Sequence, residues 1–284
     1  MLIDTHAHLN FATYDKDREK VINRSLKENI LILNVGTNYP TSKKAVEIAK
    51  DKEGIFASVG LHPINLYTGL IKMRRDKEEP EEYFSFEEKF DYQEYGDLIL
   101  KGQQKVVAVG EIGFDYWYRP KSKAKREKFK EKQKELFQKE VKLAEEFELP
   151  LILHCRLAYD DLVNKLLKIK YKFGGVIHCF CGNINFLKKF LEMGYYIGFN
   201  GIIFKKIEGI NFNEIIKKTP LEKILIETDC PYLTPPLLNK KRNEPLNVKY
   251  IAEKIAQIKK IKIKEVEKVT TENAMTLFKI DNIF

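Results

Sequence analysis

Short apolar runs rich in β-branched residues recur along the chain, each followed by a turn signal and then an amphipathic stretch. Eight such runs stand out, at residues 2–6, 30–36, 55–60, 106–111, 149–154, 175–178, 195–199 and 223–229. The segments between them, among them 15–29, 39–50, 121–148 and 183–192, carry apolar residues at helical spacing among Lys and Glu. Strand-length runs alternating with helices are the signature of repeated βα units. Eight of them predict an α/β fold, a closed (β/α)8 TIM barrel, built as one domain over residues 1–284. Two regions depart from the bare pattern. Residues 66–105, between strands three and four, form a long insert dense in Lys, Glu, Tyr and Phe, read as partly helical or mobile. Residues 248–260 and 264–279 read as two closing helices.

Composition narrows the setting. The chain has 284 residues, 44% hydrophobic and 32% charged, enough for one sizeable core. The opening Met1-Leu-Ile-Asp-Thr-His places an acid and a histidine where a secretory signal needs a basic start and an apolar run. The longest apolar stretches are strand-length, far below the roughly 18 residues that span a bilayer. The expectation is a cytoplasmic protein without a membrane partner, and a monomer. Its four cysteines do not resemble a disulfide framework and are expected reduced. A formal charge of +9 favours a polyanionic partner, although lysines scattered through charged helices fit a solvated surface equally well.

The histidines change the picture. All five, His6, His8, His62, His154 and His178, lie at or just beyond the C-terminal end of a predicted strand. In a barrel that end is where catalytic residues from different strands converge. Strand residues alternate faces, so His6 and His8 project the same way and can grip one ion. Alone, that spacing fits a hydrogen-bonded pair better than a metal site. Glu111, His154, His178 and Asp229 at the ends of other strands shift the balance, as nitrogen and carboxylate donors suited to Zn, Mn or Mg. By the same alternation Cys155 and Cys179, each following an inward histidine, should face the helix layer. Cys181 has no partners at zinc-finger spacing, and Cys230, beside Asp229, is placed near the metals and within reach of thiol reagents. Glu227 is read as a barrel-interior acid paired by hydrogen bonds, and Asp4 as an orienter of its neighbours.

The chain resembles the TatD-type metal-dependent deoxyribonucleases, a branch of the barrel-shaped metallohydrolases. The matching blocks are Asp4-Thr-His-Ala-His8, Gly60-Leu-His-Pro63, Gly110-Glu-Ile-Gly-Phe-Asp-Tyr116, His154-Cys-Arg156, His178-Cys-Phe180, Gly198-Phe-Asn-Gly201, Glu227-Thr-Asp-Cys-Pro-Tyr-Leu233 and Arg242-Asn-Glu-Pro245. The resemblance implies two divalent metal ions (Mg, Mn or Zn). His6 and His8 would bind one with Asp229, His154 and His178 the second, and Glu111 would bridge them. Two close cations repel, and a shared carboxylate and hydroxide offset that repulsion. No strand here ends in an inward lysine, the bridge of many binuclear amidohydrolases. The resemblance also implies phosphate contacts from His62, Arg156, Arg242 and Asn243, whose arginine forks suit phosphate oxygens. It differs from the usual family pattern at Cys181, where a small residue such as serine is commoner, and in the longer insert.

The resemblance implies a deoxyribonuclease that cleaves phosphodiester bonds of DNA and removes nucleotides from a 3′ end, a polarity the residues alone do not fix. A metal-bridging hydroxide, oriented by Asp229 as general base, would attack phosphorus, and a metal-bound water or His62 would protonate the leaving oxygen. Tyr116, Trp117 and Tyr118 either stack on a base or simply pack. Two other readings stay open: an amidohydrolase or aminoacyl-tRNA deacylase on the same barrel, with RNA or tRNA as substrate, and a non-catalytic nucleic-acid-binding module.

Overall fold

The structure, a computed structural model, describes residues 1–70, 88–239 and 242–280. Unbroken runs of Val, Ile and Leu become strands covered on both faces, as parallel sheets require. The strands are β1 (Leu2–Ala7), β2 (Ile30–Val35), β3 (Ile55–Val59), β4 (Val106–Asp115), β5 (Leu151–Arg156), β6 (Gly175–Ile177), β7 (Tyr196–Phe199) and β8 (Ile224–Ile226). All neighbours pair in parallel, in sequence order from β1 to β8. The ring closes just past β8, where Ala7 bridges Cys230, Asp229 N–H donates to His6 O at 2.8 Å and His8 N–H donates to Cys230 O at 2.8 Å.

The outer layer holds α1 (Arg18–Lys27), α2 (Tyr39–Lys50), α3 (Tyr92–Gly102), α4 (Lys123–Glu146), α5 (Tyr159–Ile169), α6 (Ile184–Glu192), α7 (Phe212–Lys218) and α8 (Val248–Lys259), followed by α9 (Ile263–Phe278). Several starts are written in the sequence as side-chain caps that satisfy orphan N–H groups. Asn38 and Thr41 form a reciprocal capping box on α2, Asp91 accepts from Gln93 N and Glu94 N on α3, and Asn183 does the same for Asn185 and Phe186 on α6. The barrel's third helix therefore lies inside the predicted insert. Residues 71–87 of that insert, read as partly helical or mobile, fall outside the described residues.

The interior is filled by Ile3, Leu31, Leu33, Phe56, Val107, Ile152, Val176 and Leu225. Leu277, Phe278 and Ile280, at the end of α9, join that cluster, and Asn273 donates to Leu221 O and Ile224 O where β8 begins. α9 thus seals the mouth from which the strands start, and the opposite mouth is left for chemistry. No helix among the described residues is long and apolar enough to cross a membrane.

Candidate metal centre

Glu111, on β4, stands in the middle of every histidine in the chain. Its Oε2 lies 3.4 Å from His6 Nε2 and 4.0 Å from His8 Nε2. Its Oε1 lies 2.7 Å from His154 Nδ1, 3.4 Å from His62 Nε2 and 3.8 Å from His178 Nε2. Asp229 closes the other side, 3.4 Å from His8 Nε2, 3.8 Å from His178 Nε2 and 4.0 Å from His6 Nε2. The six proposed ligands therefore meet at one mouth, and His62 joins them. One glycine makes the approach feasible: Gly113, at φ +139°, would carry a Cβ only 2.1 Å from the carbonyl oxygen of His154.

Hydrogen bonds decide which ring nitrogens are bare. His8 Nδ1 donates to Val35 O at 2.9 Å, since a carbonyl can only accept, so Nε2 presents its lone pair to Asp229 and Glu111. His6 Nε2 is 3.2 Å from that nitrogen. Two nitrogens about 2.1 Å from one ion stand about this far apart, so a cation fits between them. His6, His8 and Asp229 form one set of donors within 4.8 Å of one another, and His62, Glu111 and His154 form another. His62 differs in tautomer. Ile64 N–H donates to its Nδ1 at 3.0 Å, which leaves the proton of the neutral ring on Nε2, facing Glu111.

Two acids outside the proposed ligand set hold the rings. Asp115 Oδ2 is 3.1 Å from His154 Nε2. Its other oxygen accepts from Trp117 N–H at 2.8 Å, and Gln133 of α4 clamps its backbone from both sides. Glu227 Oε1 accepts from Cys179 N–H at 2.7 Å and from Asn200 Nδ2 at 3.1 Å, and lies 2.9 Å from His178 Nδ1 at an angle that falls short of a hydrogen bond. Asp4 touches no imidazole. It accepts from Thr228 N–H, Thr228 Oγ1 and His6 N–H, and so stitches β1 to the segment bearing Asp229.

Burial and neighbours divide the protons unevenly. Burial, reinforced by the nearby His178, pushes His6 down to about 4, the neutral form that ligates metals. Burial and His154 likewise lower His62. Burial opposes charge on His154 too, but Asp115 and Glu111 outweigh it and hold its pKa at about 9. Burial is outweighed again at His178, which Glu227, Asp229 and Glu111 raise to about 10. Burial would raise Glu111, yet the surrounding imidazoles hold it well below the carboxylate range. The site concentrates anionic oxygen that positive charge must balance.

The family described as TatD related DNase matches residues 3–279. This chain belongs to the TatD family. Among TatD-family relatives, an uncharacterized metal-dependent hydrolase of Bacillus subtilis, YabD, is 37% identical over 288 residues, covering 99% of this chain and 100% of its own. The 3′-5′ ssDNA/RNA exonuclease TatD of Salmonella typhimurium is 27% identical, covering 98% and 99%. The crystal structure of YJJV, a TatD homologue of Escherichia coli K12, aligns with a TM-score of 0.81 at 26% identity over 98% of both chains. The chain is a metal-dependent hydrolase acting on ester bonds, and its His, Asp and Glu clusters can hold metal.

Other residues of this TatD-family chain land less simply. Arg156, exposed at the end of β5, lays its guanidinium 4.6 Å over the Trp117 ring and 5.7 Å over Tyr118. Arg242, expected to contact phosphate, is held within the protein: both its terminal nitrogens grip Asp17, at 2.9 and 2.5 Å, and Nη1 also donates to Thr13 O. Asn243 is likewise held within the protein. It is buried with its amide spent on Thr228 O and Tyr232 O and its Oδ1 accepting from Glu244 N–H and Asn247 Nδ2. Tyr116 packs, donating to Asp161 Oδ2 at 2.7 Å, whereas Trp117 stays 54% exposed. Cys155 is buried on the helix side as expected. Cys179 is not: β6 stops at Ile177 and Cys179 takes φ +47°, which breaks strand alternation and brings its thiol within 4.8 Å of donors on His178 and Asp229. Cys230 is fully buried, and burial pushes its thiol up to about 12, both of which oppose the expected attack by thiol reagents.

Proposed function

We propose that the chain is a deoxyribonuclease that removes nucleotides from the 3′ end of DNA. The observation that carries this reading is Glu111, whose two oxygens divide the histidines into two groups at one mouth of the barrel. His6, His8 and Asp229 would hold one divalent cation, and His154 and His178 the other, with Glu111 shared between them. Such a pair, as Mg, Mn or Zn, lowers the pKa of water and offsets charge gathering on phosphate oxygens. Asp229, ionised because His178 and His8 outweigh its burial, orients the attacking water and takes its proton.

His62 is assigned to a phosphate oxygen through Nε2–H. Its Nδ1 already accepts from Ile64, so the ring is held neutral, and a hydrogen-bonding role fits it better than proton delivery to the leaving oxygen. Arg156 is the second phosphate contact. Arg242 and Asn243 are assigned to tying the last βα loop to the barrel. Exonuclease polarity is carried over from the Salmonella relative, named as a 3′-5′ exonuclease of single-stranded DNA and RNA.

The test is incubation of chelated protein with end-labelled single- and double-stranded DNA and, separately, Mg, Mn and Zn. Progressive shortening from the 3′ end is expected, with Glu111→Gln and Asp229→Asn folded and inactive. Full activity in both variants rejects the assignment. Activity confined to an ester of charged tRNA moves the reading to the deacylase.

A further inference from the structure

The cations that open α4 sit where local physics disfavours them. Its first turn holds Lys123, Lys125 and Arg126 and no acid, although the free N–H groups of a helix start repel positive charge. Lys123 and Arg126 also line a cavity of about 330 Å³, together with Arg119, Lys130, Tyr116 and Leu157. Glu127 is the one acid on its wall, and it is 3.3 Å from Lys130. Among the described residues Arg119, Lys123 and Arg126 form no ion pair. Three cations sharing a cavity repel one another, and a polyanion seated there relieves that repulsion.

The cavity's place in the barrel names the polyanion. Tyr116 directly follows Asp115, which holds His154, and Leu157 directly follows Arg156, so the floor continues β4 and β5 out of the metal centre. Leu157 lies three positions beyond His154, at most roughly 10 Å, or about three phosphate steps of a stacked strand at ~3.4 Å each. Along the way stands Trp117, 54% exposed, with the Arg156 guanidinium against its ring. An open aromatic beside a cationic groove suits bases that are free to stack, which a duplex does not offer. We propose that this cavity is a phosphate subsite for single-stranded nucleic acid whose end lies in the metal centre. The placement of that end rests on the exonuclease reading; the subsite itself can be measured without turnover.

The experiment is fluorescence anisotropy with labelled dT12 in chelator, comparing the wild type with Lys123→Glu/Arg126→Glu across a salt series, with thermal melts of both. Equal melts are expected. The variant's Kd should rise at least about tenfold, and its log Kd against log salt slope should fall by about 1.4 for two lost contacts on a single strand. An unchanged Kd and slope overturn the subsite, as does a wild type that binds no dT12. Polyglutamate of matched charge binding as tightly as dT12 through the same residues overturns the nucleic-acid assignment. A wild type that binds dT12 through them yet releases no nucleotide once metals are restored leaves the subsite standing and defeats the exonuclease reading.

Discussion

Asp115 is the sharpest place to press on the centre without replacing a proposed ligand. It is 2% exposed and puts Oδ2 3.1 Å from His154 Nε2, while Glu111 takes Nδ1 of the same ring. In Asp115→Asn the side-chain oxygen can still accept from Trp117 N–H, so the loop keeps its shape. The amide then offers its N–H₂ to His154, which forces the ring to carry its proton on Nδ1 and lose its anionic neighbour. A buried hydrogen bond to a charged partner contributes about 1.5–3 kcal/mol, which is roughly a 10- to 150-fold effect. Loss of such a ring-orienting partner typically costs 10- to 100-fold in metal affinity or activity, in the same range. The assay is hydrolysis of bis(p-nitrophenyl) phosphate against a Mn titration, read as turnover and apparent metal affinity. Asp161→Asn, which alters an acid bound to Tyr116 and Lys134 but to no imidazole, is the control. If turnover and metal affinity of Asp115→Asn both stay within twofold of wild type, the holding role is refuted.

Gly113→Ala should lower thermal stability by about 1–3 kcal/mol and cut activity at least tenfold, because its Cβ would stand 2.1 Å from His154 O at φ +139°; a wild-type melt with full activity contradicts this. Phe114→Ala, a fully buried ring 5.1 Å from Phe137, should cost about 3–5 kcal/mol in urea melts. Glu140 is buried with Leu61 N–H on one oxygen and no partner on the other, and burial raises its pKa well above 4.5. Its stability contribution is therefore fully present below about pH 4.5 and lost as pH climbs toward the folded pKa. Glu140→Gln cannot ionise, so from pH 5 to 8 the wild type should lose stability relative to the variant, by about 1.4 kcal/mol per unit of elevation; parallel pH–stability curves would argue otherwise.

The barrel was legible because parallel strands covered on both faces leave long unpunctuated apolar runs, and because each histidine sat at the end of one. What escaped had physical reasons. Residues 106–111 read as a whole strand, yet β4 runs on to Asp115; the alternation Glu111, Gly113, Asp115 was the available signal. The outward face assigned to Cys179 assumed a strand that ends two residues earlier. The insert was read as partly helical, and the dense run of charges before Tyr92 blurred only the bounds of α3, Tyr92–Gly102. The partners of Arg242 and Asn243 are tertiary: Asp17 lies across the barrel's seam from Arg242, and no local pattern announces it.

The stitch between Asp4 and Thr228 carries a consequence for how the protein is made. His6 and His8 leave the ribosome about 220 residues ahead of Asp229 and of the Thr228 that anchors their strand. At about 5–20 residues per second, that is an interval of roughly ten seconds to most of a minute. During it the nascent chain holds His6, His8 and then Glu111 without the Asp229 carboxylate that completes their set. Closure of that set therefore waits until β8 has been made and the two edges of the sheet can meet.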